Sequence, residues 1–561
     1  MKKIFNYIYS LNFYKFFLLL IIIGYLPIFI FGYFIQDDLG VVSGLSNMKF
    51  IDAAKSICIV NNNRPFSCIY HAALTRLPEV YQFYFFINLL FYIFFILNIL
   101  KIFNFIIDNI ILKKIFTIFL IFPFFSYTIL YSPAMQSMGT FSLLLWSISL
   151  IFLKKYINNG DKINLFFSYF FLVLTFLVYE SPFPLLAVSI FFPLYFNNNN
   201  YKLFFFNILA TLLVLLFIII LQKFLIPKIY NIDLSRMKID FYDYKKIFFL
   251  IFINLLLTLN ILFHSIEIFI KVVLGLFHNP NYLFLAQVFA ILLVFYSIIF
   301  KKDFYITKNN HKKKNFFIIS LLIFFSVIIL NSIMHTLANT GLEFIKYNNR
   351  ALVSISFIFA FGALIFFKFF FNKKFIFNFI FVFLFFIFIF NFFYFQNNII
   401  NERFLASSVN QKLNIQTNNK KEVYFIFVDR VSFINELLSY ESYDYFHLLN
   451  NNEKDFLSGE KVVIYISEQK FCNKFYFNTY ITEPFRNNYN ISLLIFNKNL
   501  NNLFKSNQNI TITELEKLLN SYLKCDYTYS SNLLFLKKNV YVDNKYKSYF
   551  IKFLKYVYLK L

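Results

Sequence analysis

Long apolar runs, separated by short stretches rich in lysine and asparagine, make up most of residues 1–395. A run of about 17 or more apolar residues is long enough for an α-helix to cross a bilayer. The pattern predicts thirteen spans, at 16–35, 81–100, 115–131, 138–153, 164–180, 183–196, 203–225, 247–263, 265–278, 282–300, 316–333, 351–371 and 375–395. Because 265–278 is short and carries Glu267 and Lys271, a re-entrant or interfacial helix is the alternative there.

After residue 395 the long apolar runs stop. Short β-like stretches, "EVYFIFVD", "KVVIYIS" and "ISLLIF", alternate with helix-like segments such as "TITELEKLLNSYL". Thr511, with Glu514 three residues later, fits a capping box. We therefore expect a membrane domain over 1–395 and a soluble α/β domain over 396–561, a normal size for one domain.

Composition supports the membrane assignment, with 59% hydrophobic and only 14% charged residues. The net charge of +25 comes mainly from lysine, which beside apolar spans indicates control of topology rather than nucleic-acid binding. The sequence has no zinc-finger spacing, P-loop or glycine-rich dinucleotide motif, and its ten glycines leave little room for one. We expect membrane lipid, and no nucleic acid, among its partners.

Charge bias orients the predicted spans. The inter-span segments 1–15, 101–114, 154–163, 197–202, 301–315 and 372–374 hold eighteen lysines and three acids, whereas loop 36–80 holds four bases and four acids. The positive-inside rule places the first set in the cytoplasm and loop 36–80 outside. Thirteen spans then put the C-terminal domain outside as well, and an even number would leave it in the cytoplasm.

The first outer loop carries the acid pair Asp37 and Asp38 at its start, and Arg64, His71 and Arg76 further on. Arg64 and His71 are candidates for binding the substrate or its phosphate. Arg64 precedes Pro65, which is placed to begin a helix leading to the second span. A carboxylate at the interface can accept a proton from a hydroxyl, and an arginine nearby can hold a phosphate. The alternative is a water-exposed loop whose charges only stop the first span.

A second candidate cluster precedes the twelfth span. Lys346 and Arg350 are four residues apart, so a helical turn would place both on one face as a phosphate clamp. Snorkelling of two long cations is the alternative. Glu180 ends the fifth span on the same predicted side and is a candidate for lining the same cavity.

All four cysteines also fall on the predicted outer side. Cys58 and Cys68 lie in the first loop, and Cys472 and Cys525 lie in the C-terminal segment. An even number on an oxidising side is consistent with two disulfides, one in each region. Four unpaired thiols are the alternative.

One span, the acid pair in "QDDLG", a long outer loop with "NRPFS", and an arginine in "YNNRAL" entering a late span form a recognisable arrangement. It resembles the GT-C class of membrane glycosyltransferases, which use polyprenyl-phosphate-linked sugars. Within that class it looks most like the serotype-converting O-antigen glucosyltransferases. The resemblance covers the architecture of residues 1–395 and these three motifs, and it leaves the C-terminal domain without a counterpart.

The resemblance implies that a first-loop acid, Asp37 in preference to Asp38, acts as general base on the acceptor hydroxyl. It implies that Arg350 binds the phosphate, with Lys346 and, less directly, Arg64. The acceptor would be a glycan, lipid or protein, at the outer face of an inner membrane. No cofactor or metal is expected, because the acids of the metal-dependent branch have no match here.

Two other functions stay open. A transporter or flippase would need polar groups near the middle of the membrane and helices broken by Gly or Pro in two related halves. The sequence shows no internal repeat, and its polar candidates lie at the outer edge of the spans. A non-catalytic component of polysaccharide assembly would tolerate substitution of Asp37 and Asp38.

Overall fold

The structure is a computed structural model that describes part of the chain. It covers residues 7–32, 48–60, 65–77, 80–107, 109–123, 133–179, 182–196, 201–221, 282–299, 313–337, 353–369, 386–394, 422–428, 461–466, 490–496 and 503–522, with shorter pieces between 248 and 273 and between 383 and 400.

Helices make up most of the described residues before residue 400. They are α1 Phe13–Phe31, α2 Phe50–Val60, α3 Pro65–Leu74, α4 Val80–Ile102, α5 Ile110–Ile121, α6 Pro133–Asn159, α7 Lys162–Val178, α8 Leu186–Phe191, α9 Tyr201–Ile220, α10 Tyr282–Ile299, α11 Lys313–Leu337 and α12 Val353–Phe369. A 3₁₀ turn, Phe103–Phe105, follows α4, and two more, Phe183–Leu185 and Phe192–Tyr195, flank α8. Residues 386–394 are also helical.

Five helices within the described ranges are long and apolar enough to cross a membrane. They are Phe13–Phe31, Tyr81–Phe105, Met138–Asn159, Tyr201–Ile220 and Phe316–Met334. Each overlaps a predicted span, and together they make the chain compatible with a helical membrane protein. The total of thirteen spans stays a prediction.

Two predicted spans differ in shape from a continuous helix. The helix in the third, α5, ends at Ile121, two residues before Pro123, and 124–131 lie outside the described residues. The segment predicted as 183–196 contains only a six-residue α-helix between two 3₁₀ turns, with Pro184 and Pro193 in those turns. Proline explains both, because it lacks the N–H that a helix interior requires and disfavours the α conformation in the residue before it.

The core lies where α4, α6 and α12 meet. Trp146 of α6 is fully buried, with its ring centroid 5.5 Å from that of Phe357 in α12 and 6.4 Å from that of Phe95 in α4. Its indole Nε1 donates to Ser189 Oγ of α8 at 3.0 Å. The most polar atom of this ring therefore has a partner, as a buried indole requires.

One end of this helical body is closed by lysines, and we call it the lysine end. Lys114, Lys154 and Lys368 each donate to backbone carbonyls. The acceptors are the carbonyls of Tyr9 and Leu11 for Lys114 (both 2.8 Å), of Lys101 (3.0 Å) and Ile102 (2.8 Å) for Lys154, and of Ile106 for Lys368 (2.5 Å). The last carbonyls of a helix have no intrahelical donor, so Lys154 and Lys368 complete the end of α4 and its 3₁₀ turn, and Lys114 completes the end of the helical residues 7–10 before α1.

The described part of the C-terminal segment contains a four-stranded sheet in the order β2-β1-β3-β4. The strands are β1 Glu422–Val428, β2 Lys461–Ile466, β3 Asn490–Phe496 and β4 Leu503–Ile510. β1 pairs in parallel with β2 and β3, and β4 pairs antiparallel with β3. The three predicted strands are confirmed. β4, "LFKSNQNI", is too polar for its sequence to indicate a strand, and as an edge strand it has one neighbour only.

The predicted capping box is also confirmed, at the start of α13, Ile512–Tyr522. Thr511 N donates to Glu514 Oε2 at 2.8 Å, and Glu514 N donates to Thr511 Oγ1 at 3.3 Å. The hydrogen bond from the Thr511 backbone, and then that from its hydroxyl, lower the pKa of the Glu514 carboxyl. That 396–561 forms a separate soluble domain stays a prediction.

Candidate functional site

The loop between α1 and α4 contains two helices, α2 and α3, at the end of the body opposite the lysines, which we call the loop end. The predicted helix after Arg64 is confirmed, because α3 begins at Pro65, where proline's missing N–H has no intrahelical role. Ala53 of α2 and Ala72 of α3 are fully buried against each other. Their small side chains let the two helices pack closely, so α2 and α3 form a hairpin.

Arg76, just after α3, holds the start of this hairpin. Its guanidinium donates to the carbonyls of Met48 and Ala72 and lies 5.4 Å from the ring centroid of Phe50. Arg76 was not among the predicted site residues, because its sequence context carries no motif. The consequence is that residue 48, where the segment 33–47 ends, is tied to the turn before α4.

The start of the same segment is tied to α4 as well. Gly32 N donates to the Ile28 carbonyl at 2.7 Å, and Tyr81 Oη of α4 donates to the same oxygen at 3.1 Å. A Cβ at position 32 would collide with the Tyr81 hydroxyl and the Ile28 carbonyl, so glycine is needed for this close approach. Asp37 and Asp38 belong to the segment 33–47, which lies outside the described residues.

His71 is the one predicted site residue whose side chain the structure describes. It is 1% exposed, its Nδ1 lies 3.0 Å from Tyr84 Oη, and its ring packs edge-on against Tyr70 at 5.3 Å between centroids. These contacts join α3 to α4. His71 therefore helps to fix the hairpin on the helical body.

The other predicted site residues lie in parts that the structure does not describe. Asp37, Asp38, Arg64, Glu180, Lys346, Arg350, Cys472 and Cys525 are outside the described ranges. Cys58 lies in α2 and Cys68 in α3 by backbone position, with side chains outside the description. Their proposed roles and the two disulfides therefore stay predictions.

Within the helical body, sequence reasoning missed a set of buried amides, Gln287, Gln396 and Asn397, which we call the amide cluster. Gln287 Nε2 donates to Gln396 Oε1 at 2.7 Å, and Asn397 Nδ2 donates to Gln287 Oε1 at 2.8 Å. All three side chains are at most 5% exposed. Mutual pairing is what makes three amides tolerable in an apolar interior.

The amide cluster supplies hydrogen-bond donors to carbonyls of α1 beside a proline. Pro27 lies inside α1 and has no N–H for the Ile23 carbonyl four residues before it. Gln287 Nε2 donates to that carbonyl at 3.1 Å, and Gln396 Nε2 donates to the next one, that of Gly24. The signal available in the sequence was a proline in one predicted span and an isolated glutamine in another.

A second interruption lies close by, at the end of α5. Tyr25 Oη of α1 donates to the Ile121 carbonyl, and Tyr92 Oη of α4 donates to the Leu120 carbonyl, both at 2.5 Å. The Phe122 ring lies against Gly24 of α1, where any Cβ would press on it. Two helix interruptions thus meet in the interior, and side chains from neighbouring helices satisfy the carbonyls at both.

The described residues contain no group of three or more His, Cys, Asp or Glu side chains placed to hold a metal ion. The chain matches no known protein-family model, no curated protein and no solved structure.

Proposed function

We propose that the protein is a membrane glycosyltransferase that moves a sugar from a polyprenyl-phosphate donor to a glycan, lipid or protein acceptor. The supporting observation is the tethering of the acid-bearing segment 33–47 at both ends. Gly32 N and Tyr81 Oη donate to the same carbonyl, that of Ile28, and the Met48 carbonyl accepts from Arg76, five residues earlier in the chain than Tyr81. The described residues on either side of the segment therefore both lie near the start of α4.

The number of residues between Gly32 and the acids limits how far from Gly32 the acids can lie. Five residues separate Gly32 from Asp37, so the two Cα atoms are at most about 18 Å apart whatever path the chain takes. Fixing both ends of a loop lowers the conformational entropy that is lost when a carboxylate of that loop is brought to a substrate.

In the proposed reaction, Asp37 or Asp38 takes the proton of the acceptor hydroxyl. The hydroxyl oxygen attacks the anomeric carbon, the bond from that carbon to the phosphate oxygen breaks, and the lipid phosphate leaves with the electron pair. Arg350 and Lys346, with Arg64, stabilise the departing phosphate, and Glu180 lines the polar cavity. His71 contributes by holding α3 against α4.

The proposed setting is the inner membrane, with the loop end and the 396–561 domain on the periplasmic side. The donor's chain would stay in the bilayer while its phosphate and sugar reach the membrane edge, where the first loop lies. The lysine end would face the cytoplasm, in agreement with the charge bias of the sequence.

The test replaces Asp37 and Asp38 by Asn, singly and together, in the full chain. We expect the double variant to lose about 10²- to 10⁴-fold in sugar transfer, measured in membranes with a labelled polyprenyl-phosphate sugar. Asp52→Asn is the matched control, because Asp52 is an exposed acid in α2 of the same loop. Normal insertion with unchanged surface glycans in the double variant would contradict the enzyme proposal.

A second candidate function, a transporter or flippase, is favoured by the amide cluster beside Pro27 of helix α1. Interrupted helices with buried polar groups are typical of transporter binding sites. The two functions separate in proteoliposomes that contain a fluorescent polyprenyl phosphate. Lipid translocation that Gln287→Leu abolishes and that Asp37→Asn with Asp38→Asn leaves intact would favour the transporter.

A further inference from the structure

Asn331 of α11 is a buried amide without a recorded partner. Its side chain is fully buried, and among the described residues neither Nδ2 nor Oδ1 has a hydrogen-bond partner. A buried amide that lacks both kinds of hydrogen bond is costly. By contrast, the three amides of the amide cluster satisfy one another and the backbone.

Helical geometry gives the direction of the Asn331 side chain. Ser320, in the same helix, bonds to Tyr195 Oη at 3.0 Å, and Phe324 packs on Phe359 of α12 with ring centroids 5.4 Å apart. At about 100° per residue, Asn331 lies about 20° from Ser320 and about 20° from Phe324, between the two. Asn331 is therefore aimed at the seam between the 183–195 segment and α12.

The same contacts give its depth. Phe316 and Lys368 both meet the 3₁₀ turn after α4, through Phe105 (6.1 Å between rings) and the Ile106 carbonyl (2.5 Å). Together with the Phe324–Phe359 contact, this makes α11 and α12 antiparallel neighbours. Counting on from Phe324, Asn331 comes level with the start of α12 at Val353. It lies about 22 Å along α11 from Phe316, towards the loop end.

The N-terminal end of α12 lies at that level. The first four N–H groups of a helix have no intrahelical acceptor, and the helix dipole makes this end attractive to oxygen atoms. α12 begins at Val353, three residues after Arg350. A ligand that meets the Asn331 amide is therefore also beside the first turn of α12.

The donor and acceptor atoms of the Asn331 amide limit the kinds of ligand that it can bind. Nδ2 needs an acceptor and Oδ1 needs a donor. Phosphate oxygens at neutral pH are mainly acceptors, so they would pair with Nδ2 and be repelled by Oδ1. A hydroxyl both donates and accepts, so adjacent hydroxyls of a sugar can satisfy both atoms at once.

We infer that the Asn331 amide, beside the first turn of α12, is a binding subsite for the hydroxyl groups of the sugar carried by the donor. The inference rests on the proposed function and assigns to α11 the recognition of the sugar, separate from the recognition of the phosphate. Asn331 was not predicted from the sequence, where it is one asparagine among many.

The test measures binding to the full-length protein in detergent. The probes are farnesyl phosphate and the farnesyl-phosphate esters of glucose, galactose and N-acetylglucosamine. We expect Asn331→Leu to weaken binding of the preferred phosphosugar about tenfold and to leave binding of farnesyl phosphate unchanged. Asn331→Ser keeps a smaller hydrogen-bonding group, so its affinity for the phosphosugar should lie between those of the wild type and Asn331→Leu.

Thr211→Val is the matched control. Thr211 of α9 is 2% exposed, its Oγ1 also has no partner among the described residues, and valine has nearly the same shape. Thr211→Val should change neither the affinity for farnesyl phosphate nor that for the phosphosugar. This result would exclude a general effect of removing a buried polar atom. The thermal midpoint of Asn331→Leu should not fall, because the amide makes no described hydrogen bond.

The outcomes are distinguishable. If Asn331→Leu binds every phosphosugar as the wild type does, the amide is satisfied by water only and the inference is wrong, while the proposed function stands. If Asn331→Leu weakens the binding of farnesyl phosphate and of the preferred phosphosugar equally, Asn331 does not recognise the sugar, and the inference is again wrong. If the wild type binds neither farnesyl phosphate nor its sugar esters, the proposed function fails, and this inference fails with it.

Discussion

The lysine end and the loop end use polar side chains in different ways. At the lysine end, Lys114, Lys154 and Lys368 all donate to backbone carbonyls and complete the ends of helices. At the loop end, Arg76 instead ties a distant part of the chain, Met48, and Asn331 has no described partner. The lysines thus bond mainly to backbone carbonyls at helix ends, with one further bond from Lys154 to Asn104 Oδ1, whereas the loop end holds groups that helix termination does not explain.

The difference between the lysine end and the loop end indicates which polar groups serve stability and which serve activity. Polar groups that satisfy the backbone contribute to stability, and their removal should lower the free energy of unfolding with little effect on activity. Groups that position a loop or lack a partner should behave in the opposite way. Substitutions at the two ends, and in the amide cluster between them, measure the contrast.

The largest effect is expected at the loop end, for Arg76→Met. Loss of the bonds to Met48 and Ala72 frees the end of the segment 33–47, and we expect sugar transfer to fall about 100-fold. The thermal midpoint should change little, because Arg76 is largely exposed. Arg76→Lys should not restore activity, since an ammonium cannot reproduce the two divergent donors of a guanidinium.

The control for Arg76 is Lys55→Met, which removes an exposed cation from the same hairpin. It should retain transfer close to that of the wild type. Equal losses for the two variants would show that charge, and not the tie to Met48, matters at this end.

An intermediate effect is expected in the amide cluster. Gln287→Leu leaves the Ile23 carbonyl of α1 without its donor, so the free energy of unfolding should fall by about 2 kcal/mol. Pro27→Ala restores an N–H four residues after Ile23 and should recover part of that loss in the double variant. The coupling free energy between positions 27 and 287 is obtained from unfolding in detergent of the wild type, the two single variants and the double variant.

Strict additivity of the Gln287→Leu and Pro27→Ala effects would contradict this role of the glutamine. Transfer activity per folded molecule should be unchanged in both single variants, which separates the amide cluster from the proposed site. A selective loss of lipid translocation in Gln287→Leu would instead support the transporter.

The smallest effect is expected at the lysine end. Lys154→Met removes the donor to the Lys101 and Ile102 carbonyls, and we expect a loss of about 1 kcal/mol in stability with unchanged transfer. Lys155→Met is the matched control, because the neighbouring Lys155 is exposed and carries the same charge for topology. A loss of equal size for Lys155→Met would mean that the lysines act through charge alone.

The elements of the fold followed from local patterns where the local signal was strong. Apolar runs predicted the five helices long enough to span a membrane, Pro65 predicted the start of α3, and Thr511 with Glu514 predicted the start of α13. No interruption was predicted from Pro123, Pro184 or Pro193. The early end of α5 and the short α8 became evident only in the structure.

The candidate site divides along the same line. The sequence drew attention to Asp37, Asp38 and Arg350 through their charge, because charged residues beside apolar runs are conspicuous. It gave no role to Arg76, Gln287 or Asn331. The importance of those three depends on partners that are distant in the chain or, for Asn331, on burial without a described partner.

Local patterns in the sequence therefore account for the apolar helices, the first-loop helix, three strands of the C-terminal sheet and the residues whose charge is costly near apolar runs. These properties depend on composition and on short-range periodicity. The folded chain was needed to show that Tyr81 and Arg76 bond to the carbonyls of Ile28 and Met48, near the two ends of the acid-bearing segment, and that the Asn331 amide is buried without a described partner. Contacts of this kind join residues far apart in the chain, and their energies depend on burial and mutual geometry, which no local pattern records.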